Sequence, residues 1–243
     1  MDMFAAPNPD ALPTCKPFVG RGVVLAFDEA AEQSPTLASD VVFMRRLGIH
    51  PVIVHDVMSR SMAARLIGQI NRVGGEAVGL DGTSAATLML AHAADGTVEL
   101  RSVNPALVRL LMDGGYIPVL ASEGAGLSGV PAPLPVDEAA RGLGAAIGAI
   151  RLLFNASPGG IPSDGEGIIP ELTSSEALAL ARSGGLPLEL SQRLAAAALG
   201  VRGGVEAAQI LDLCAAHAAL VEMLTAQHLG TQVVSSVHLS PNR

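Results

Sequence analysis

The chain has 243 residues, 49% of them hydrophobic and 16% charged, enough apolar sequence for one large α/β domain or two lobes around one sheet. The net charge of −8, without any lysine- or arginine-rich run, argues against binding to nucleic acid or to anionic membranes. The longest apolar stretches are interrupted by charges and are too short to span a bilayer.

The two cysteines, Cys15 and Cys214, are isolated from each other in the sequence. They are read as reduced thiols, and a disulfide between them is the open alternative. The first residues lack the basic and apolar regions of a signal peptide. These features predict a cytoplasmic protein.

The first regular elements form a strand–helix–strand unit after an irregular arm, which is expected over residues 1–19. Residues 23–27 are a short apolar run, typical of a strand buried on both faces. Ser34 and Pro35 predict the start of a helix, and residues 51–54 form a second apolar run. Two buried strands joined by a helix predict a parallel sheet.

Strands and helices continue to alternate along the rest of the chain. The first half predicts a helix capped by Ser59, a strand over 76–80, a hairpin over 87–92 and 97–103, a helix capped by Asn104 and Pro105, a strand over 116–121, and a glycine- and proline-rich loop over 122–135. The second half predicts a helix over 137–147, a strand over 151–154, a hairpin loop over 157–167, a helix capped by Ser174, a helix over 186–199, a strand over 205–211, a helix over 213–224, and a strand over 230–234.

Several of these segments resemble the acetylglutamate kinases of the amino acid kinase (carbamate kinase-like) family. The stretch VNPALVRLLMDGGYIPVLA is similar to the family's VNPELLETLLEAGYIPVIA, and INRVGGEAVGLDG is similar to INRHGGRAVGLSGKDG. The resemblance implies an α/β/α sandwich with a mainly parallel central sheet. It implies one domain over residues 20–243, with an acyl-amino-acid lobe over 20–134 and a nucleotide lobe over 135–243.

The family's phosphate-binding positions are changed in this chain. The resemblance places the family's first lysine at Ala26, its first glycine pair at Asp28 and Glu29, its triple glycine at Asp56, Val57 and Met58, its substrate-binding asparagine at Pro133, and its second lysine at Glu189. Phosphoryl transfer needs fixed cations and backbone N–H donors directed at the moving phosphate. These substitutions predict that the family reaction is impaired.

Two further features also predict that the family reaction is impaired. Met58 runs almost directly into the next helix, so the family's hairpin lid, with the arginine that holds the amino-acid carboxylate, is expected to be deleted. The chain has a single lysine, Lys16, and it precedes the first strand. Whatever the protein does with phosphate, it does without the family's two lysines.

The resemblance also implies candidate site residues where the pattern is retained. Asp137 lies where the family has the aspartate that orients the reacting groups, although it could simply complement a helix N-terminus. The other candidates are Asn155, Pro158, Gly159, Gly184 and Gly185 for a nucleotide, and His55 and Gly79 for the acid substrate. His55 could equally be a structural histidine.

The remaining charged candidates have a functional and a structural reading. Arg21, Arg182 or Arg193 could supply charge to a phosphate, but each is more readily explained as a solvated arginine on a helix face or end. The three carboxylates Asp28, Glu29 and Asp56 could hold a hard cation, or form a solvated acidic rim. The histidines and cysteines show no metal-ligand spacing, so no metal site is predicted.

The leading functional hypothesis is a pseudokinase that acts by binding a small molecule or by assembly. The alternative is an active kinase for N-acetyl-L-glutamate or a related acid in arginine biosynthesis, which alone would require ATP and Mg²⁺. A purely structural subunit is a third possibility. The resemblance implies a homodimer paired through the helix after the first strand, or a complex with an intact kinase of the same family.

Overall fold

Strands and helices alternate along the chain, a pattern that produces a sheet covered by helices on both faces. The computed structural model describes residues 13–27, 34–92, 97–126, 129–157, 159–163 and 165–235. Its strands are β1 (Gly22–Phe27), β2 (His50–His55), β3 (Ala77–Asp81), β4 (Leu88–His92), β5 (Val98–Val103), β6 (Ile117–Ala121), β7 (Glu123–Ala125), β8 (Pro131–Pro133), β9 (Arg151–Asn155), β10 (Ile161–Pro162), β11 (Ile168–Ile169), β12 (Glu171–Thr173), β13 (Ala207–Leu211) and β14 (Thr231–Val234). Its helices are α1 (Leu37–Arg46), α2 (Arg60–Arg72), α3 (Ala106–Asp113), α4 (Val136–Ile147), α5 (Ser174–Arg182), α6 (Leu188–Arg202) and α7 (Ala218–Leu224).

The central sheet has the strand order β12-β14-β13-β9-β1-β2-β6-β3. All neighbouring strands are parallel except β13 and β14. Strand β1 lies in the interior, where Ala26 is level with Val54 of β2 and Phe154 of β9. The mainly parallel sheet predicted from the sequence is therefore confirmed.

Helices cover both faces of this sheet. Val24 and Ala26 of β1 belong to one core cluster, which includes Leu143 of α4 and Leu194 of α6. Leu25 and Phe27 point to the other face and join the cluster that contains Leu66 of α2. Side chains of a strand alternate between its two faces, so the continuous apolar run in β1 supplies both cores. The three-layer α/β/α sandwich is confirmed.

Two smaller sheets account for the predicted hairpins. Strands β4 and β5 pair antiparallel, and with β7 and β8 they form a four-stranded sheet in the order β5-β4-β7-β8. Strands β10 and β11 pair across the glycine-rich stretch that was predicted to be a hairpin loop. Both hairpins are confirmed.

Several predicted boundaries are wrong. Helix α1 begins at Leu37 and not at Ser34–Pro35, and helix α5 is capped by Thr173 instead of Ser174. Thr173 has the better geometry because its hydroxyl accepts from the Glu176 N–H, while the Glu176 carboxylate accepts from the Thr173 N–H. The last helix, α7, begins only at Ala218.

The backbone at His217 explains why α7 begins later than predicted. The predicted irregular arm also contains regular structure. His217 has a left-handed φ of 58°, which a continuous helix does not allow. In the arm, residues 13–18 form a 3₁₀ helix that buries Cys15 and Phe18 in the core. Lys16 is exposed on this helix, before the amino end of β1.

Candidate functional site

The carboxyl ends of the parallel strands meet along one edge of the central sheet. His55 of β2 and Asp81 of β3 are both level with Ala121 of β6, and Asn155 of β9 is level with Leu211 of β13. The crevice outside the carboxyl ends of the strands is the usual ligand site of an open α/β sheet. Three of the predicted site residues, Ala26, His55 and Asn155, lie at or next to this edge.

Ala26 is buried near the carboxyl end of β1, with 3% of its surface exposed. Its methyl group packs in the core cluster that contains α4 and α6. The position that the resemblance assigns to a phosphate-binding lysine is thus filled by a small apolar side chain. Asp28 and Glu29 lie outside the described residues.

In the turn after β2, a carboxylate of the turn itself accepts a hydrogen bond from the backbone. Residues 57–59 form a short 3₁₀ turn, in which the Asp56 carboxylate accepts a 2.7 Å hydrogen bond from the Met58 N–H. The Met58 side chain is 82% exposed. At the position where the resemblance places a triple-glycine turn, the Met58 N–H is therefore already bonded to the Asp56 carboxylate.

Asp137 lies in the first turn of α4, as predicted, and it is paired with Arg193 of α6. The Arg193 Nε lies 3.4 Å from each carboxylate oxygen of Asp137. Arg193 also donates from Nη2 to Glu189, one helical turn earlier, at 3.1 Å. Arg193 thus lies between the carboxylates of Asp137 and Glu189.

The prediction that Arg193 is solvated is wrong, because only 7% of its side chain is exposed. Helices α4 and α6 pack side by side on one face of the sheet, and this packing turns Arg193 inward. Arg21 and Arg182 are exposed, as the structural reading predicted. Arg21 pairs with Glu206 at 2.8 Å on the surface.

A cavity of about 230 Å³ lies beside Arg193. Its walls come from the loop after β9 and from the start of α6, and they are Ala156, Ser157, Gly160, Pro162, Pro187, Glu189, Leu190 and Arg193. Arg193, the ion-pair partner of Asp137, is therefore part of the cavity wall. We call it the Arg193 cavity.

The residues predicted to bind a nucleotide lie in different local environments. The Asn155 side chain is buried, and its oxygen accepts from the Leu213 N–H at 3.0 Å. A Cβ at Gly159 would lie 2.7 Å from the Asp212 nitrogen, so the close approach of two backbones requires glycine there. Gly184 and Gly185 form the exposed turn between α5 and α6. Pro158 lies outside the described residues.

A second cavity, of about 250 Å³, lies on the opposite face, between α2 and the strands β3 and β6. Its walls include both residues predicted to bind the acid substrate, together with two charged side chains: His55, Gly79, Arg60 and Asp81. We call it the Arg60 cavity. The structure brings His55 and Gly79 together, but it places them on the other face of the sheet from α4 and Asp137.

The environment of His55 favours the neutral form of its ring. Burial lowers its pKa below the usual range, partly offset by the hydrogen bond to the Asp56 carbonyl. Its Nδ1–H donates to that carbonyl at 2.8 Å. In the neutral ring the other nitrogen, Nε2, is then an acceptor.

Arg60 was not predicted as a site residue. It forms an ion pair with Glu123, whose side chain is only 12% exposed, while 61% of the Arg60 side chain stays accessible. Arg60 is the first residue of α2, immediately after the point where the resemblance predicts a deletion, and this position was a signal in the sequence. The partner, 63 residues away, could not be read from local spacing.

Asp81 supplies a carboxylate to the same cavity. The Thr83 hydroxyl donates to it and holds the pKa of Asp81 below its usual range. The N–H groups of Thr83 and Ser84 donate to the same oxygen. Thr83 thus favours the ionised form of Asp81.

The other predicted positions lie apart from these cavities or offer no metal site. Pro133 ends β8 in the small sheet, opposite Glu123 of β7. Among the described residues, no group of three or more His, Cys, Asp or Glu side chains could hold a metal ion. Within the same ranges, no helix is both long and apolar enough to cross a membrane.

Comparison with solved structures places this fold among the amino acid kinase-like proteins. The chain matches N-acetylglutamate synthase from Neisseria gonorrhoeae with a TM-score of 0.76 at 20% identity, covering 93% of this chain but only 62% of that one. It matches carbamate kinase from Giardia lamblia with a TM-score of 0.66 at 13% identity, covering 89% of this chain and 99% of that one. At these identities the matches show the fold alone.

Sequence comparison identifies the family. The chain is 30% identical to the acetylglutamate kinase of Wolinella succinogenes, over 93% of this chain and 95% of that protein. It is 29% identical to the acetylglutamate kinase of Synechococcus sp. (strain RCC307), over 93% of this chain and 92% of that protein. A scan against protein-family models found no match. The chain belongs to the acetylglutamate kinase family.

The length of these alignments bears on the predicted loss of the lid segment. The alignment with the Synechococcus protein spans 273 residues, more than the 243 residues of the whole chain. The relative therefore contains residues without a counterpart here. A segment missing from this chain agrees with the short connection between β2 and α2.

Proposed function

We propose that this protein is a catalytically impaired member of the acetylglutamate kinase family that binds a small acid without phosphorylating it. The observation that carries the proposal is Ala26, buried in the core at the position of the phosphate-binding lysine. Removing a single catalytic stabiliser typically lowers the rate by about 10²–10³-fold. Ala26 and Glu189 together remove two.

The described residues do not fit the triphosphate of ATP. On the face of α4 and α6, the Arg193 guanidinium is already matched by the carboxylates of Asp137 and Glu189. Like charges close together repel by about 4 kcal/mol at 4 Å and an effective dielectric constant of about 20. A polyphosphate would add several negative charges to a site that already has an excess of one.

The Arg60 cavity has the features of a site for a small acid. Its volume of about 250 Å³ is below the roughly 300–1,000 Å³ of pockets that bind drug-sized ligands. Arg60 offers guanidinium donors to a carboxylate, while Asp81 and the Nε2 of His55 are acceptors.

An acylated amino acid matches this set of groups. It carries carboxylates for Arg60 and an amide N–H for Asp81 or His55. Named relatives of this chain are acetylglutamate kinases, and N-acetyl-L-glutamate is therefore the first ligand to test.

Thermal unfolding with N-acetyl-L-glutamate, with and without ATP and Mg²⁺, tests the proposal. A ligand at about 100 times its Kd adds about 2.7 kcal/mol of stability. For a chain of this size that raises Tm by about 5–11 °C. We expect a shift with the acid alone and no ADP release in a coupled assay. No shift with the acid would contradict the binding proposal.

Two variants locate the site. Arg60→Met removes the cation and should weaken acid binding by about 10–100-fold, since a hydrogen bond to a charged group contributes about 1.5–3 kcal/mol. Arg72→Met is the matched control, because Arg72 is exposed on the same helix and donates to Gly68. Ala64→Phe fills the cavity and leaves the Arg60–Glu123 pair in place. Binding unchanged by both Arg60→Met and Ala64→Phe would place the ligand elsewhere.

An active ATP-dependent kinase of arginine biosynthesis is the second candidate. The Asp137–Arg193 pair favours it, because a retained carboxylate lies beside a cation on the face of Ala26. ADP release that depends on N-acetyl-L-glutamate and is abolished by Asp137→Asn would replace the first proposal with this one.

We also propose that the protein acts in the cytoplasm as a homodimer. An intact kinase of the same family is the alternative partner. Sedimentation velocity of the chain alone, and mixed with such a kinase, distinguishes a dimer, a mixed complex and a monomer.

A further inference from the structure

A third cavity, of about 530 Å³, lies between α1 and α7 and reaches the end of α2. Its volume is within the roughly 300–1,000 Å³ of pockets that bind drug-sized ligands. Four apolar side chains form much of its wall: Val42, Phe43, Val73 and Leu220. We call it the Phe43 cavity. It shares no wall residue with the Arg60 cavity or the Arg193 cavity, and it is therefore a separate site.

A cation lines the cavity in the last turn of α1. Arg46 donates from Nη2 to the Val73 carbonyl at 3.3 Å. Within the ranges that the structure describes, no carboxylate forms an ion pair with Arg46. A guanidinium binds a carboxylate through two parallel N–H donors. Arg46 therefore offers a place for an acid group beside the apolar wall.

A fixed histidine lines the cavity at the start of α7. The His217 Nδ1 lies 2.8 Å from one oxygen of the buried Asp40 carboxylate, and the Thr36 hydroxyl donates to the other oxygen at 2.9 Å. The same hydroxyl accepts from the His217 N–H at 2.8 Å. Because a carboxylate is an acceptor, Nδ1 carries the proton, and Nε2 of the neutral ring is left as an acceptor. The backbone and the ring of His217 are thus both held against α1.

We propose that the Phe43 cavity binds an aromatic acid, whose carboxylate pairs with Arg46 and whose opposite end gives a hydroxyl group to the His217 Nε2. Asp40, which holds His217, is six residues from Arg46 on α1, so the two polar ends lie about 9 Å apart along the helix. A ring with an acid arm and an opposite hydroxyl group has the length for both contacts. Between them its faces and edges pack on the apolar wall, where Phe43 supplies an aromatic partner. This ligand is additional to the acid proposed for the Arg60 cavity.

Calorimetric titration with para-hydroxyphenylacetate tests the site, together with the NMR signal of the His217 Cε1–H, which is identified by its loss in His217→Asn. We expect binding that shifts this signal. Phenylacetate, which lacks the hydroxyl group, should bind roughly 2–10-fold more weakly. The alcohol that replaces the acid group of para-hydroxyphenylacetate should bind about 10–100-fold more weakly, because it cannot form the charged contact.

Arg46→Met should weaken binding of the acid by about 10–100-fold and leave binding of the alcohol unchanged, since only the acid needs the guanidinium. Arg182→Met is the matched control, because Arg182 is exposed at the end of α5 and its loss changes the net charge equally. Arg60→Met separates this site from the Arg60 cavity and should leave binding unchanged. Ser39→Phe narrows the cavity from an exposed wall position and should weaken both compounds by at least tenfold.

The proposal is overturned if para-hydroxyphenylacetate does not shift the His217 signal, or if Arg46→Met and Arg182→Met bind it equally. It is also overturned if Arg60→Met weakens binding as much as Arg46→Met, since the acid would then occupy the other cavity. Helix α1 is the helix through which the resemblance implies that subunits pair. An affinity that falls as the protein concentration rises would assign the cavity to a second copy of the chain and would likewise overturn the proposal.

Discussion

Arg193 of α6 and Asp137 of α4 meet 3.4 Å apart, with 7% and 13% of their side chains exposed. Replacing Arg193 with methionine would leave the Asp137 carboxylate in this environment without that cation. We expect Arg193→Met to lower the free energy of unfolding by about 3–5 kcal/mol, measured by urea denaturation. Arg202→Met, an exposed site on the same helix, should change it by less than about 0.5 kcal/mol. Equal effects would mean that the pair is not structural.

His55 should make stability depend on pH in a defined direction. Burial lowers its pKa in the folded protein, so below about pH 6.5 the unfolded chain binds a proton that the folded chain does not. Stability is then constant above this pH and falls as the pH drops through 6.5 toward the folded pKa. The slope from this one group is at most about 1.4 kcal/mol per pH unit.

Unfolding curves of the unmodified chain and of His55→Gln between pH 7.5 and 5 measure this effect. His50, whose pKa is also lowered by burial, is present in both proteins and cancels in the comparison. The two stabilities should converge as the pH falls. Parallel curves would show that His55 does not titrate abnormally.

Gly159 and Gly185 were both predicted to bind a nucleotide, but they differ in how much room a side chain would have. A Cβ at Gly159 would meet the Asp212 nitrogen at 2.7 Å, whereas at Gly185 the nearest atom is the Ser183 hydroxyl at 3.6 Å. Gly159→Ala should cost about 1–3 kcal/mol of stability because the two backbones must separate. Gly185→Ala should stay within about 0.5 kcal/mol in the same denaturation experiment. The reverse order would contradict this packing.

Thr173 and Ser174 offer a test of the cap on α5. The Thr173 hydroxyl accepts from the Glu176 N–H at 3.2 Å. Thr173→Ala should therefore destabilise the protein by about 0.5–2 kcal/mol in urea denaturation. Ser174→Ala lies one residue later and should have the smaller effect. A larger loss in Ser174→Ala would restore the boundary predicted from the sequence.

The arginines show where sequence reasoning reached its limit. Arg193 stands in a helix rich in alanine and leucine, and its local pattern suits a solvated face. Its burial depends on how α6 packs against α4, where glycines such as Gly144 and Gly200 bring both helices close to Leu152 of β9. The Arg60–Glu123 pair joins residues 63 apart in the chain. Neither contact could be predicted from the spacing of residues that are neighbours in the sequence.

The sequence by itself determined the order of strands and helices and the family lysines that this chain lacks. Apolar runs, turn residues and helical spacing are local properties, so the alternating strands and helices could be predicted directly. The resemblance to the family added the absence of lysine at Ala26 and Glu189. Only the tertiary structure decided which carboxylates Arg193 and Arg60 contact, and that His55 and Asp137 lie on opposite faces of the sheet. Ion pairs of this kind depend on how helices pack across a sheet, which brings together residues far apart in the chain.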